Sequence, residues 1–387
     1  DTTPNDSGYF FKGVWGVYPY FASGIVLASD IEQGLFVFSA NYQRASYVSG
    51  TVKDAISSAP LYNVLVNVQG EEVSDYTNIS GVYNSGLGKA GSTTFHFSKT
   101  GYYDTSVVVN LLTSSTQIAN VVMRPKSTFT AFFKVLDKDS KPIFAAKILI
   151  ESEEGSWLLN SNNNGIASGS LTGTNFKISA GKWMYANTCN EKTRADFADT
   201  SVHVLLAGVY DDFTFDYLWT TTGDVNKGMW VRDIPFGTNY DEILVNPSSD
   251  VSVDCSGYAM VTGNSKNPDP SFNKVEGVKS ELRSPLIDLS SYAHPFISFY
   301  LWFQDVDKWG FANDSAFISL RNNNEVIYLD TIVGSVYAHK AEWFFKYYDL
   351  SAYHLSSKDY QLQISAVDVW PYNAVELGLD VFRLTED

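Results

Sequence analysis

The chain has 387 residues, 18% of them charged and 15% aromatic, and its 27 Lys and Arg against 43 Asp and Glu give a net charge of −16. So many rings among so few charges exclude a disordered chain and call for several packed cores; at about 150 residues per domain the length admits two to four. The acidic surplus repels phosphate, which argues against nucleic-acid and anionic-membrane partners, and no apolar run approaches the roughly 20 residues needed for membrane insertion.

The predicted elements are strands. Val64 to Val68, Ser106 to Leu112, Phe129 to Leu136 and Ala145 to Ile150 alternate with period 2, are rich in β-branched and aromatic residues, and are separated by Gly, Asn, Asp and Ser clusters. No stretch of 12 residues shows clean helical periodicity. The expected fold class is all-β, as tandem β-sandwiches rather than one large barrel.

Residues 1–45 contain Gly13-Val-Trp15-Gly16-Val-Tyr18-Pro19-Tyr20, Ser23-Gly24 and Ser29-Asp30-Ile31-Glu32-Gln33-Gly34-Leu35-Phe36-Val37. This stretch resembles the last blade of the β-propeller in choice-of-anchor B proteins. About 45 residues make one four-stranded blade, which cannot close a propeller. The resemblance implies that a propeller preceded Asp1. Phe10, Phe11, Trp15, Tyr18, Tyr20, Leu35 and Phe38 would then need cover from a partner, either the missing propeller portion or another protein surface.

Residues 46–126 and 127–206 read as two copies of one module. Val52-Lys53-Asp54, Pro60-Leu61 and Asn78-Ile79-Ser80-Gly81 recur as Val135-Leu136-Asp137, Pro142-Ile143 and Asn162-Asn163-Asn164-Gly165, at offsets of 83, 82 and 84. In both, Asn-x-x-Gly fits a tight turn with a glycine at positive φ. With Gly50-Thr-Val-Lys-Asp-Ala55 and Gly101-Tyr102-Tyr103, the first copy resembles a carboxypeptidase regulatory-like domain, a transthyretin-like or Ig-like sandwich; the second keeps the proline and the turn but lacks the Gly-Tyr pair. Such domains are non-catalytic spacers or accessory folds.

Residues 207–387 open at Tyr210-Asp211-Asp212-Phe213 and continue through Trp219-Thr-Thr-Thr-Gly223, Ser284-Pro285-Leu286-Ile287-Asp288-Leu289-Ser290 and Leu379-Asp380-Val381-Phe382-Arg383. The order resembles the MAM-like and cleaved-adhesin-like jelly rolls of exported Bacteroidota proteins, departing from them at Asn267 to Lys279. The resemblance implies a structural calcium ion where the first and last strands meet, held by Asp212 and Asp380, with Asp254 and Glu276 as further ligands. Ca2+ takes six to eight oxygens, which carboxylates on loops supply.

Phe296 to Phe303 places Ile297, Phe299, Leu301 and Phe303 on a core face and Tyr300 and Trp302 on the other. Tyr300, Trp302 and Trp309 are candidates for a glycan platform; the alternative is a second face covered by a loop or a neighbouring domain. Cys189 and Cys255 match no zinc spacing and no CxxC motif, leaving a disulfide or two separate thiols.

No catalytic residues are assigned. His339-Lys340-Ala341-Glu342 is the one match to His-x-x-Glu, and strand positions three apart point to opposite faces. There is no Gly-x-Ser-x-Gly elbow, and the pairs Asp211-Asp212, Glu153-Glu154 and Asp305-x-Asp307 diverge on strands or are solvated on loops. The sequence reads as a non-enzymatic scaffold or adhesion protein with a ligand-binding jelly roll, secreted or on the outer-membrane cell surface, and the resemblance to exported Bacteroidota proteins implies type IX secretion. The other reading is the accessory, substrate-targeting region of a secreted hydrolase.

Overall fold

A computed structural model describes residues 13–39, 45–224, 227–240, 243–266, 274–275, 277, 279–306, 312–334, 341–368 and 374–386. The described chain is all-β, with short 3-10 turns at Arg194–Phe197 and Leu350–Ala352. It divides into two compact units, Asp1–Lys126 and Ser127–Asp387.

In the first unit, strands Val14–Tyr18, Ile25–Asp30 and Gly34–Ser39 form an antiparallel meander. Register puts Tyr18, Leu27 and Val37 on one face and Val17, Ala28 and Phe36 on the other. Both faces are therefore apolar, and Trp15, Tyr18, Tyr20, Leu35 and Val37 are more than half exposed. Phe10 and Phe11 lie outside the described residues.

The first sandwich follows. Strand Ser46–Asp54 pairs antiparallel with Val82–Leu87 and parallel with Thr116–Ile118 and Val121–Met123. The facing sheet runs Ser74–Tyr76, Leu65–Val68, Gly91–Ser98, Thr105–Leu111. Alternate residues of both sheets, among them Val48, Val52, Val66, Tyr83, Phe95 and Phe97, fill the core.

The second unit begins with the same topology. Strand Phe129–Asp137 pairs antiparallel with Ile166–Leu171 and parallel with Ser201–Leu205. The facing sheet runs Gly155–Asn160, Lys147–Ser152, Asn175–Gly181, Thr188–Thr193. The sequence repeat is thus a repeat of hydrogen bonds. Asn78 Oδ1 accepts from Ser80 N and Val82 N, and Asn162 Oδ1 from Asn164 N and Ile166 N. Lys53 bridges to Pro60, and Leu136 to Pro142.

Gly81 and Gly165 sit at φ +73° and +72°, and an added Cβ would lie 2.6 Å from Val52 O and 2.4 Å from Val135 O. Left-handed backbone and backbone contact combine, so Gly81→Ala and Gly165→Ala should each cost about 2 kcal/mol. Urea denaturation of the full chain checks this: each variant should lower the midpoint of the transition that contains its module.

The jelly roll packs two six-stranded sheets. One contains Val231–Asp233, Ala259–Val261, Ala374–Glu386, Pro295–Val306 and Phe344–Asp349, with Val209–Asp211 also on Ala374–Glu386. The other contains Thr220–Thr222, Lys279–Arg283, Asp359–Val367, Ser315–Arg321 and Val326–Val333, with Ile287–Asp288 on Asp359–Val367. Ile297, Phe299, Leu301, Phe303, Ile318, Leu362, Ile364, Leu377 and Leu379 fill the space between them. The first and last strands of the jelly roll are therefore direct neighbours, with Asp211 opposite Phe382.

Candidate metal centre

The register between Pro295–Val306 and Ala374–Glu386 slips between Ser298 and Tyr300, so that Val381 and Phe382 oppose the single residue Phe299. Val381 takes φ +50°, an outlier for a β-branched residue, and the bulge sets the direction of Asp380. Val381 N donates to Asp380 Oδ1 at 2.7 Å, and Val251 N donates to Asp380 Oδ2 at 2.9 Å. Asp380 is fully buried.

Val251 belongs to a segment that lies over the outer face of this sheet. Trp302 Nε1 donates to Val245 O at 2.7 Å, and Trp343 Nε1 to Ser249 O at 3.0 Å. Draped in this way, the segment delivers two more carboxylates: oxygens of Asp250, Asp254 and Asp380 lie within 4.8 Å of one another.

Asp211 and Asp212 diverge at the end of the jelly roll's first strand. Asp211 serves the core, accepting from Phe213 N and from Trp219 Nε1. Asp212 is buried and accepts from Asn187 Nδ2 at 3.0 Å and from Thr214 N at 3.2 Å. Both bonds end on Oδ1. Asp254 Oδ1 accepts from Ser256 N, while its buried Oδ2 has no hydrogen-bond partner.

Among the described residues, no Lys or Arg nitrogen lies within ion-pair distance of Asp212, Asp250, Asp254 or Asp380, although the charge of Lys177 reaches Asp250 and Asp254 and acts to lower the pKa of both. Burial, then the charges of Asp212 and Asp250, push Asp254 up to about 7. Burial pushes Asp380 up to about 9, and Asp250 is also raised by burial. Packed carboxylates that resist losing their protons favour a cation, and an all-oxygen donor set suits a hard ion such as Ca2+ rather than zinc.

Of the residues expected to hold calcium, Asp254 and Asp380 come together, Asp212 acts on Asp254 through its charge, and Glu276 lies outside the described residues. Asp250 was missed. Its spacing of four from Asp254, in a polar loop just before Cys255, was the available signal. The cysteines are joined: Cys189 and Cys255 form a disulfide with Cα atoms 6.3 Å apart.

The glycan platform needs correction. Trp302 is 3% exposed, covered by the Val245 segment and packed edge-on against Trp343. The outer face of a central strand is covered here, so Trp302 offers no ring to a sugar. Tyr300 is partly buried against Phe345, and Trp309 lies outside the described residues. His339 of the His-x-x-Glu match also lies outside them.

A Ser–His pair does occur, between Ser201 Oγ and His203 Nε2 at 3.1 Å. Both residues are buried, with the imidazole near Phe133, so the pair belongs to the core of the second sandwich.

No family model and no curated protein matches the chain. Among solved structures, it is similar to a streptococcal ancillary pilin at 12% identity and TM-score 0.32, over 48% of this chain and 76% of that one. It is also similar to the shaft pilin SpaA of Lactobacillus rhamnosus GG, at 11% identity and TM-score 0.27, over 42% of this chain and 97% of that one. A minor pilin of Streptococcus agalactiae shares 12% identity at TM-score 0.27, over 42% of this chain and 96% of that one. At these TM-scores the likenesses carry no argument about function.

Proposed function

We propose that this chain is a non-catalytic, exported scaffold or adhesion protein whose jelly roll is stabilised by a bound calcium ion. The observation that carries the reading is the convergence of Asp250, Asp254 and Asp380, with Asp212 acting on Asp254 through its charge and Lys177 the nearby cation that partly offsets Asp250 and Asp254 without forming an ion pair with them. The disulfide suits an oxidising exterior, and no helix among the described residues is long and apolar enough to cross a membrane.

In the same reading, the N-terminal meander is an assembly surface. It presents apolar side chains on both faces, and among the described residues Val14–Tyr18 and Gly34–Ser39 each pair with one strand only. Such a sheet fits between two further β-layers, supplied by other blades of a β-propeller or by another protein chain.

Calcium titration of the chelator-treated full chain tests the centre. The wild type should take up one ion at this centre, and Asp254→Asn should weaken binding at least tenfold. No uptake by the wild type, or equal affinity in the variant, would remove the calcium reading.

A further inference from the structure

The candidate centre lies on a seam between two modules. The second sandwich and the jelly roll have separate hydrophobic cores, yet they belong to one compact unit. Several of the links between them meet beside the four aspartates. Cys189, on strand Thr188–Thr193 of the sandwich, is bonded to Cys255, the residue after Asp254. Lys177 Nζ, on the neighbouring strand Asn175–Gly181, donates to Cys255 O. Asn187 Nδ2 donates to Asp212, and Tyr217 OH donates to Asn187 Oδ1 at 2.6 Å.

The segment that carries Asp250 and Asp254 forms no strand between Val245 and Tyr258. It is therefore positioned by its anchors. Carboxylate oxygens remain for a ligand: Asp254 Oδ2 is buried without a partner, and Asp212, itself 3% exposed, takes both its hydrogen bonds on Oδ1.

We propose that the Cys189–Cys255 disulfide and the cation centre form one coupled clamp between the second sandwich and the jelly roll. This rests on the calcium reading above. A loop free at one end must lose conformational freedom when its carboxylates converge on an ion. A covalent anchor one residue from Asp254 removes most of that loss in advance, so the crosslinked chain binds the ion more tightly. Linkage makes the effect reciprocal: an ion that prefers the crosslinked chain opposes reduction of the crosslink by the same factor.

The test uses the full chain and calcium alone as ligand. Cys189→Ser/Cys255→Ser should bind calcium about tenfold more weakly than the wild type, within the usual range of coupling between sites. A second measurement needs no variant. Dithiothreitol reduces the disulfide to two thiols and is itself oxidised to its cyclic disulfide. Saturating calcium should raise the dithiothreitol needed for half-reduction by about the same factor. Wild-type binding with unchanged affinity in the variant, or a reduction midpoint indifferent to calcium, overturns the coupling and leaves the calcium reading standing. No binding by the wild type overturns both.

Discussion

In millimolar calcium the second compact unit of the full chain melts at a higher temperature than in chelator. An ion that binds only the folded state adds RT ln(1 + [L]/Kd), about 2.7 kcal/mol at 100 times Kd. For a domain of this size that raises the melting point by about 5–10 °C. Asp380→Asn should abolish the calcium increment, because Asp380 supplies the one fully buried carboxylate of the three that converge. Calorimetry of the wild type and the variant, each with calcium and with chelator, checks this. Identical wild-type curves would contradict it.

The second large effect concerns pH and the second sandwich. His203 is buried, its Nδ1 has no hydrogen-bond partner, and burial, helped by the Lys192 charge, lowers it to about 4. The unfolded chain binds a proton near pH 6.5, while the folded chain refuses it until about pH 4. Stability is therefore lost as pH falls from about 6.5 to about 4, by about 3 kcal/mol in total. Carboxylates with raised values shift the total in the opposite sense, so the informative quantity is the difference between wild type and His203→Gln. Denaturant unfolding at pH 7 and pH 4.5 should show the wild type losing about 2.4 kcal/mol more than the variant. Equal losses would contradict the assignment.

Most of the fold was legible because period-2 patterning and turn chemistry are local. The Asn-x-x-Gly turns and the Pro60 and Pro142 landmarks recur with one spacing because each makes the same backbone bonds in its module. That the first and last jelly-roll strands meet was likewise readable, and they do pair, with Asp211 opposite Phe382 and Asp380 in the middle of the last strand. Asp250 was not, because an irregular segment has no period, and its place depends on Trp302, Trp343 and Asp380, all far along the chain.

Trp302 shows the opposite failure. Alternation predicts which face a ring occupies but not what covers that face, and here the cover is a loop 57 residues away in sequence. The boundary near residue 206 separates two cores but not two compact units. Nothing in either module alone announces the disulfide and side-chain bonds that cross it.

The most direct test of the account is a crystal structure of the full chain grown with calcium. The account predicts one ion among Asp212, Asp250, Asp254 and Asp380, ringed by six to eight oxygens at 2.3–2.6 Å. Water or a lysine nitrogen in that place, with calcium at saturating concentration, would contradict it.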